Sequence, residues 1–437
     1  MVRAVSSFRV RAAAGTLALA ASVIALLLLG ASAASRASSL VPASRQAGLP
    51  GWLAGPEQWL GIAPSRTLTD VLLIAMLIAW GVALACAGAL GTRRLWTAIV
   101  LAHLAAVLAP PLFSQDLFGY LAFAHLGALH GLDPYTHAAA AAPHDAVYRF
   151  IGWQHARSPY GPLFTLASYA LAPLSVAAGV WLLKAVAAIA SLATIAVVWR
   201  VAERLGRSPK HAVALFALNP VVLAFAVAGG HNDLLLGLLV AAGIALRLLD
   251  RGPASGGTLA LAAGVKVSAI LALPFALLGA ERRRTGLRDA AWATVVLLGV
   301  AALALVAFGA HAGAVIDTLR GQQQLVAVHS IPSELSRLFG GASRPSNAVR
   351  TCFDAALAVA IAAALWHAWR RADRWLEAYG WATLAVLLST TWLLPWYGTW
   401  LLVPAAFSAD RRLRAACVVL SVYLVATRLP LAAGVLG

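Results

Sequence analysis

Between Ser114 and Pro162 the chain reads SQDLFGYLAFAHLGALHGLDPYTHAAAAAPHDAVYRFIGWQHARSPYGP. This stretch gathers Asp116, Asp133, Asp145, His125, His130, His137, His144 and His155, in a chain of 437 residues with only 16 acidic side chains and 11 histidines. Asp116 stands just beyond an apolar run, one helical turn before Tyr120. A carboxylate so placed can take the proton from an attacking hydroxyl. It can equally be a solvated loop residue or the cap of the next helix. A second polar group, His231-Asn232-Asp233, sits between two apolar runs. It either caps Leu234 to Leu249 or holds a polar ligand, and ionisable residues this close to lipid are functional candidates.

Three cations could meet an anionic group: Arg157, Lys184 and Lys266. The plainer readings are a loop arginine for Arg157, a snorkelling side chain for Lys184 and a structural ion pair for Lys266. Trp153, Tyr160, Trp396, Tyr397 and Trp400 suit an interfacial aromatic belt, some of them able to stack on a ligand as well. The histidines of the first stretch offer no HxxxH or HxH pair, so no metal site is expected. Cys86, Cys352 and Cys417 also lack metal spacing and read as packing residues.

The elements that position these groups follow from composition. Hydrophobic residues make up 61% of the chain and charged ones 11%, where a soluble domain carries about 25% charged. Mean hydropathy is +0.83, and apolar runs recur throughout. The chain is therefore all-α, a polytopic transmembrane bundle forming a single integral membrane domain over residues 1–437, with about 11–13 spans. The net charge of +17 does not indicate nucleic acid. Basic residues cluster between apolar runs, at Arg93-Arg94, Arg204 to Lys210, Arg282 to Arg288, Arg370 to Arg374 and Arg411 to Arg414, as cytoplasmic loops do.

Counting spans under that rule gives a first helix at Ala12 to Ala34, favoured over a cleaved signal because of its length. An outer loop follows at Ser35 to Ser65, then crossings at Leu68 to Leu90 and Trp96 to Phe113. Residues 114–160 form the first outer loop, with an amphipathic interfacial helix at Leu117 to Leu129 and a turn at Asp133-Pro134-Tyr135. The charge rule requires Gly161 to Ser175 to be short or re-entrant before a full span ending at Arg200. It also requires Thr258 to Ala280 to split into two short helices near Lys266. Residues 311–350 form a second outer loop that includes His329 to Glu334. Cys352 to Trp369, Tyr379 to Leu394, a short return at Trp400 to Phe407, and Ala415 to Leu436 complete the chain. All the polar motifs then face one side of the membrane and the basic clusters the other.

Asp116 through Tyr135, followed by Ser158-Pro159-Tyr160-Gly161-Pro162, resembles the first outer loop of the GT-C glycosyltransferases. The similarity is closest to the polyprenyl-phosphate-mannose-dependent mannosyltransferases of actinobacterial lipoglycan synthesis. Gly230 to Asp233, Lys266 in GVKVSAILALPF, and Leu394-Pro395-Trp396-Tyr397 match that family's later motifs. The resemblance implies Asp116 as catalytic base and a multi-pass cell-membrane enzyme with an extracytoplasmic active site. It implies inverting transfer of mannose from polyprenyl-phosphate-mannose to a glycolipid or glycan acceptor. His231, Asn232, Asp233, Tyr120, Tyr160, Trp396 and Tyr397 would contact substrate, and Arg157, Lys184 or Lys266 the donor phosphate. No cofactor and no metal are expected. Transfer of another sugar (arabinose or glucose) is the alternative within the class, and a lipid-carrier flippase or transporter the alternative outside it. A transporter would show inverted halves with paired broken helices, whereas only one break, near Lys266, is evident. A structural partner subunit would tolerate substitution of Asp116.

Overall fold

The computed structural model describes residues 2–35, 38, 40–43, 48–280 and 283–429. Arg282 of one basic cluster, part of the 35–65 loop, and residues 430–436 of the last expected span lie outside them. The described chain is helical, with no β-strand among the described residues. In order, α1 is Val2–Ala33, α2 Arg66–Ala85, α3 Thr92–Leu108, α4 Asp116–Ala128, α5 Pro162–Ser168, α6 Val176–Arg204 and α7 Pro209–Ala217. Then come α8 Asp233–Leu248, α9 Gly252–Val265, α10 Ala272–Leu278, α11 Arg283–Phe308, α12 Ala314–Gln322, α13 Ile331–Leu338, α14 Asn347–Arg370, α15 Trp375–Ser389, α16 Gly398–Phe407 and α17 Arg411–Ala426.

Five of these helices (α1 from Ser7, α2, α6, α11 and α14) are long and apolar enough to cross a membrane, and a sixth candidate is bent by 46° between α7 and Val221–Val227. The expected 11–13 spans therefore do not appear as that many full-length helices. The remainder run 17 residues or fewer, as in α3, α8, α15 and α17. At 1.5 Å per residue such helices fall short of the ~30 Å apolar slab. Only 6% of the apolar window of α14 and 11% of that of α11 is buried, so these two form the periphery.

The breaks occur where sequence and charge demanded them. Residues 162–171 form one short helical segment ahead of the full-length α6. α9 ends at Lys266, whose backbone is extended (φ −152°, ψ 126°), before the chain resumes through a 3₁₀ turn into α10. The expected short return at 400–407 is α16.

One expectation is corrected. The helix over 117–129 forms, as α4, but it is not amphipathic and does not lie on the surface. Leu117, Phe118, Tyr120, Leu121, Phe123 and Leu126 are all buried. They point around the whole circumference because the helix is enclosed by α5, α6 and the first outer loop. Phe118 stacks on Phe150 of that loop, with ring centroids 5.1 Å apart.

The basic clusters gather at one end of the bundle. Lys210 Nζ donates to Leu90 O at 2.6 Å, Arg414 to His211 O at 3.0 Å, and Arg207 to Phe407 O. Arg247 and Asp289 form a buried pair at 2.7 Å linking α8 to α11. The polar motifs lie at the opposite helix ends, at the start of α4, the start of α8, the end of α9 and the turn before α16.

Candidate functional site

Asp116 is the first residue of α4, and its backbone N–H donates to Ser114 Oγ at 3.1 Å. Two residues before Ser114's neighbour Gln115, Phe113 adopts φ +62°, a left-handed conformation that a bulky side chain rarely takes. It is held there by Phe113 N–H donating to Leu40 O at 2.8 Å and by its ring packing on Phe225 at 4.6 Å. The backbone is thus constrained immediately before the carboxylate.

The second arm arrives through a π-helix, Val221–Val227, which ends at Gly229-Gly230 and restarts as α8 at Asp233. Such wide turns concentrate at functional sites because they re-aim side chains. Here the turn brings His231 Nδ1 to 3.3 Å from Asp116 Oδ2. Gly230 has φ +67°, and a Cβ there would lie 2.6 Å from Leu117 Cδ2. The helix carrying Asp116 and the loop carrying His231 can approach only because residue 230 has no side chain. Gly230→Ala should therefore part the two by a fraction of an ångström and lower kcat by about 10²-fold. Single-turnover assays on equal amounts of folded protein would measure this, and an unchanged kcat would refute the close-approach argument.

Around this contact the structure assembles most of the residues expected from sequence. Tyr120 Oη donates to Asn232 Oδ1 and accepts from Asn232 N–H, both at 3.3 Å. The Tyr120 and Tyr160 rings meet edge-on at 4.9 Å. Trp396 stacks on His231 at 3.8 Å. Lys266 Nζ lies 2.7 Å from Asp233 Oδ1, over the rings of Tyr397 and Trp400. Gly161 N–H donates to Val265 O at 3.0 Å, which brings Tyr160 to the break at Lys266.

Asp116, with a side chain 23% exposed, opens to solvent, whereas Asp233 is 1% exposed. Burial pushes the Asp116 carboxyl up, but His231 beside it, the Lys266 charge and the Ser114 hydroxyl outweigh this and hold it below the ordinary aspartate value. His231 Nε2, Asn232 Nδ2 and Asp233 Oδ2 are buried without a hydrogen-bond partner among the described residues. Buried polar atoms are nearly always paired, so three orphans beside one half-open carboxylate single this cluster out as the candidate site.

Two expected cations do not join them. Lys184 is fully buried, and its Nζ donates to Ala109 O at 2.6 Å and Ala228 O at 2.8 Å. That corrects its reading as a phosphate ligand, since the ammonium is enclosed in the fold and held on the carbonyls that close α3 and the π-helix. Arg157 is exposed on the loop before Ser158 and has no described contact with the other site residues. Trp400, expected among the belt aromatics able to stack on a ligand, instead donates from its Nε1 to Asp233 Oδ1 at 2.7 Å. The signal was its spacing, three residues after Tyr397 on one helix face, where the two rings stack at 4.4 Å.

The loop histidines serve the fold. His125 and His130 both bind Asp145, at 2.9 and 2.8 Å. Asp133 Oδ1 accepts from Tyr135 N–H at 2.8 Å, forming the expected turn. Among the described residues no group of three or more His, Cys, Asp or Glu side chains is arranged to hold a metal ion.

Residues 15–282 match the family described as Alpha-(1->6)-mannopyranosyltransferase, N-terminal domain, and residues 345–436 match the MptB C-terminal domain. The chain is 32% identical over 391 residues to Alpha-(1->6)-mannopyranosyltransferase A of Mycobacterium tuberculosis, covering 81% of this chain and 74% of that protein. It is 29% identical over 353 residues to Alpha-(1->6)-mannopyranosyltransferase B of Corynebacterium glutamicum, covering 70% of this chain and 57% of that protein. A shorter match, 31% over 175 residues, covers 39% of this chain and 35% of Alpha-(1->6)-mannopyranosyltransferase A of the same organism. No solved structure matches the chain.

Proposed function

The chain belongs to the alpha-(1->6)-mannopyranosyltransferase family, and on that premise we propose that it moves mannose from polyprenyl-phosphate-mannose to a lipid-linked or glycan acceptor on the extracytoplasmic side, with inversion at the anomeric carbon. The observation that carries this reading is the half-open Asp116 carboxylate beside the orphaned polar atoms of His231, Asn232 and Asp233. The gathering of basic clusters at the opposite end supports the assigned side, since cytoplasmic loops concentrate Arg and Lys.

The proposed chemistry needs one base. Asp116 Oδ2 faces His231, leaving Oδ1 to take the acceptor hydroxyl's proton as its oxygen attacks C1 of mannose. The bond from C1 to the phosphate oxygen breaks on the opposite side, and the polyprenyl phosphate leaves as an anion that needs no acid. Single displacement inverts the anomeric carbon, by analogy with inverting glycoside chemistry. No step calls on a metal or cofactor. Asp233, held by Lys266 and Trp400 at 2.7 Å each, is the weaker candidate for the base. With a side chain 14% exposed, Lys266 is placed to share its charge between Asp233 and the donor phosphate, with Arg157 as a second cation at the loop edge. His231, Asn232, Tyr120, Tyr160, Trp396 and Tyr397 line the sugar.

Lys266→Gln should lower kcat/KM for the donor by about 10²-fold, the usual cost of losing one transition-state charge partner. Equal values for the variant and native chains would remove Lys266 from the phosphate. The pH profile is a further expectation. Because the folded Asp116 carboxyl lies below its ordinary value, the base stays ionised into acid, and the acid limb of kcat/KM falls below about pH 3.9. The same depression adds stability above the unfolded value, which is lost as pH falls through the folded one. An acid limb near pH 6 would contradict the assignment.

The direct test supplies membranes containing the chain with polyprenyl-phosphate-mannose and, separately, with polyprenyl-phosphate arabinose or glucose. Mannose transfer with an α-linked product is expected. Transfer of only the other sugars, or β-linked product, would overturn the proposal.

A further inference from the structure

Three separate segments meet a short distance from Asp116. Trp153, on the first outer loop and 48% exposed, lies edge-on to Trp392, with ring centroids 5.7 Å apart and planes at 84°. Thr391, next to Trp392, holds the second outer loop. Its carbonyl accepts from Ala327 N–H at 2.8 Å, and its hydroxyl donates to Leu325 O at 2.8 Å. Arg350 donates to Gln323 O at 3.3 Å and to Gln324 Oε1 at 3.4 Å, and the Thr391 hydroxyl also reaches Gln323 O at 3.4 Å, which sets the exposed residue Gln323 next to this segment.

This junction is continuous with the catalytic residues on both flanks. On one flank, the Gln115 side chain lies against Gly152, so closely that a Cβ at 152 would meet Gln115 Oε1 at 1.9 Å. Gln115 precedes Asp116, and Gly152 precedes Trp153. On the other flank, Trp392 stands four residues before Trp396, whose ring stacks on His231. Even fully extended, four residues reach at most about 14 Å.

We infer that Trp153, Trp392 and the Gln323 amide form a subsite for the acceptor, binding uncharged pyranose rings of a mannan chain beyond the hydroxyl that reacts. This rests on the glycosyl-transfer reading above. Perpendicular indoles leave each ring a free face, and a pyranose offers one apolar C–H face to stack on it. A neutral amide suits the ring's hydroxyls, being both donor and acceptor. An aromatic belt would need only lipid contact. Here the pair instead joins the first outer loop to the 390–394 segment, which the second outer loop contacts through Thr391 and Gln323.

The test measures transfer to α-(1→6)-linked mannose acceptors of increasing length by the native chain and by Trp153→Ala, Trp392→Ala and Gln323→Ala. The acceptor KM should rise about tenfold for each tryptophan variant with long acceptors, equivalent to about 1.4 kcal/mol, and little with the shortest. Trp153→Phe, which keeps a ring, should restore most of the loss and guards against misfolding. A KM rise independent of acceptor length, or none, would overturn the subsite. Calorimetric binding of a mannan oligosaccharide to the detergent-solubilised full chain separates the two readings. Binding by the native chain that the tryptophan variants lose supports the subsite even if mannose is not the transferred sugar. Equal binding by all the proteins refutes it while leaving catalysis at Asp116 intact.

Discussion

Asp116→Asn lowers mannosyl transfer by about 10²- to 10⁴-fold, the range spanned by general-base contributions, while the protein folds and accumulates as the native chain does. Asparagine keeps the size of the side chain and can still occupy the start of α4, where Ser114 Oγ receives the 116 backbone N–H. What it cannot do is accept the acceptor's proton. The loss should fall on kcat, because the proton moves only as the new bond forms. Donor affinity should change little, since the phosphate is assigned to Lys266. Thermal unfolding in detergent would check the folding clause. Undiminished transfer by a well-folded Asp116→Asn protein would move the base elsewhere, and Asp233, whose Oδ2 is unpartnered, would become the next candidate despite its ion pair.

Lys184→Met destabilises the protein by about 3–5 kcal/mol, the cost of removing one partner from a buried charged arrangement. Ala109 O and Ala228 O lose their charged donor; Ala228 O keeps only the 3.4 Å bond from Leu112 N–H, and an unsatisfied buried acceptor such as Ala109 O costs about 1–3 kcal/mol. These carbonyls lie just ahead of the two segments that carry Asp116 and His231. The variant should therefore lose kcat together with melting temperature and leave the donor KM nearly unchanged. A phosphate ligand would behave in the opposite way, with donor KM rising and the melting temperature constant. That result would restore Lys184 to the donor site.

Glu57 belongs to the same arrangement. It is 4% exposed, and neither carboxylate oxygen has a hydrogen-bond partner among the described residues. Burial pushes its carboxyl up to about 8, with the Lys184 charge opposing. A raised value means the neutral acid suits the fold, so stability from this group is full below its ordinary value of 4.5 and is lost as pH rises through about 8. Glu57→Gln should flatten that part of the melting-temperature profile.

Composition and short motifs determined a good deal of this protein. Apolar runs separated by basic clusters identified a polytopic helical bundle, because hydrophobic length and charge placement act locally along the chain. The charge rule also located the break at Lys266 and the short segment after Gly161, since an odd crossing would have put a basic loop on the wrong side. Asp116 and His231-Asn232-Asp233 were legible as candidates because rare polar groups stand out in an apolar chain, whereas Pro395-Trp396-Tyr397 was picked out only by the family resemblance.

Only the tertiary structure decided the surroundings of each cation. Lys184 and Lys266 look alike in sequence, each a lone lysine in an apolar run. One is enclosed between helix-terminal carbonyls, and the other, itself partly exposed, pairs with the buried Asp233 carboxylate. That difference depends on what surrounds each ammonium group, which residues distant in sequence supply. The burial of α4 was hidden for the same reason. Its spacing fits a helix, but the partners that enclose it come from α5, α6 and the outer loop. Trp400's bond to Asp233 likewise joins residues far apart in the chain, and hydrophobic patterning carries no record of such pairings.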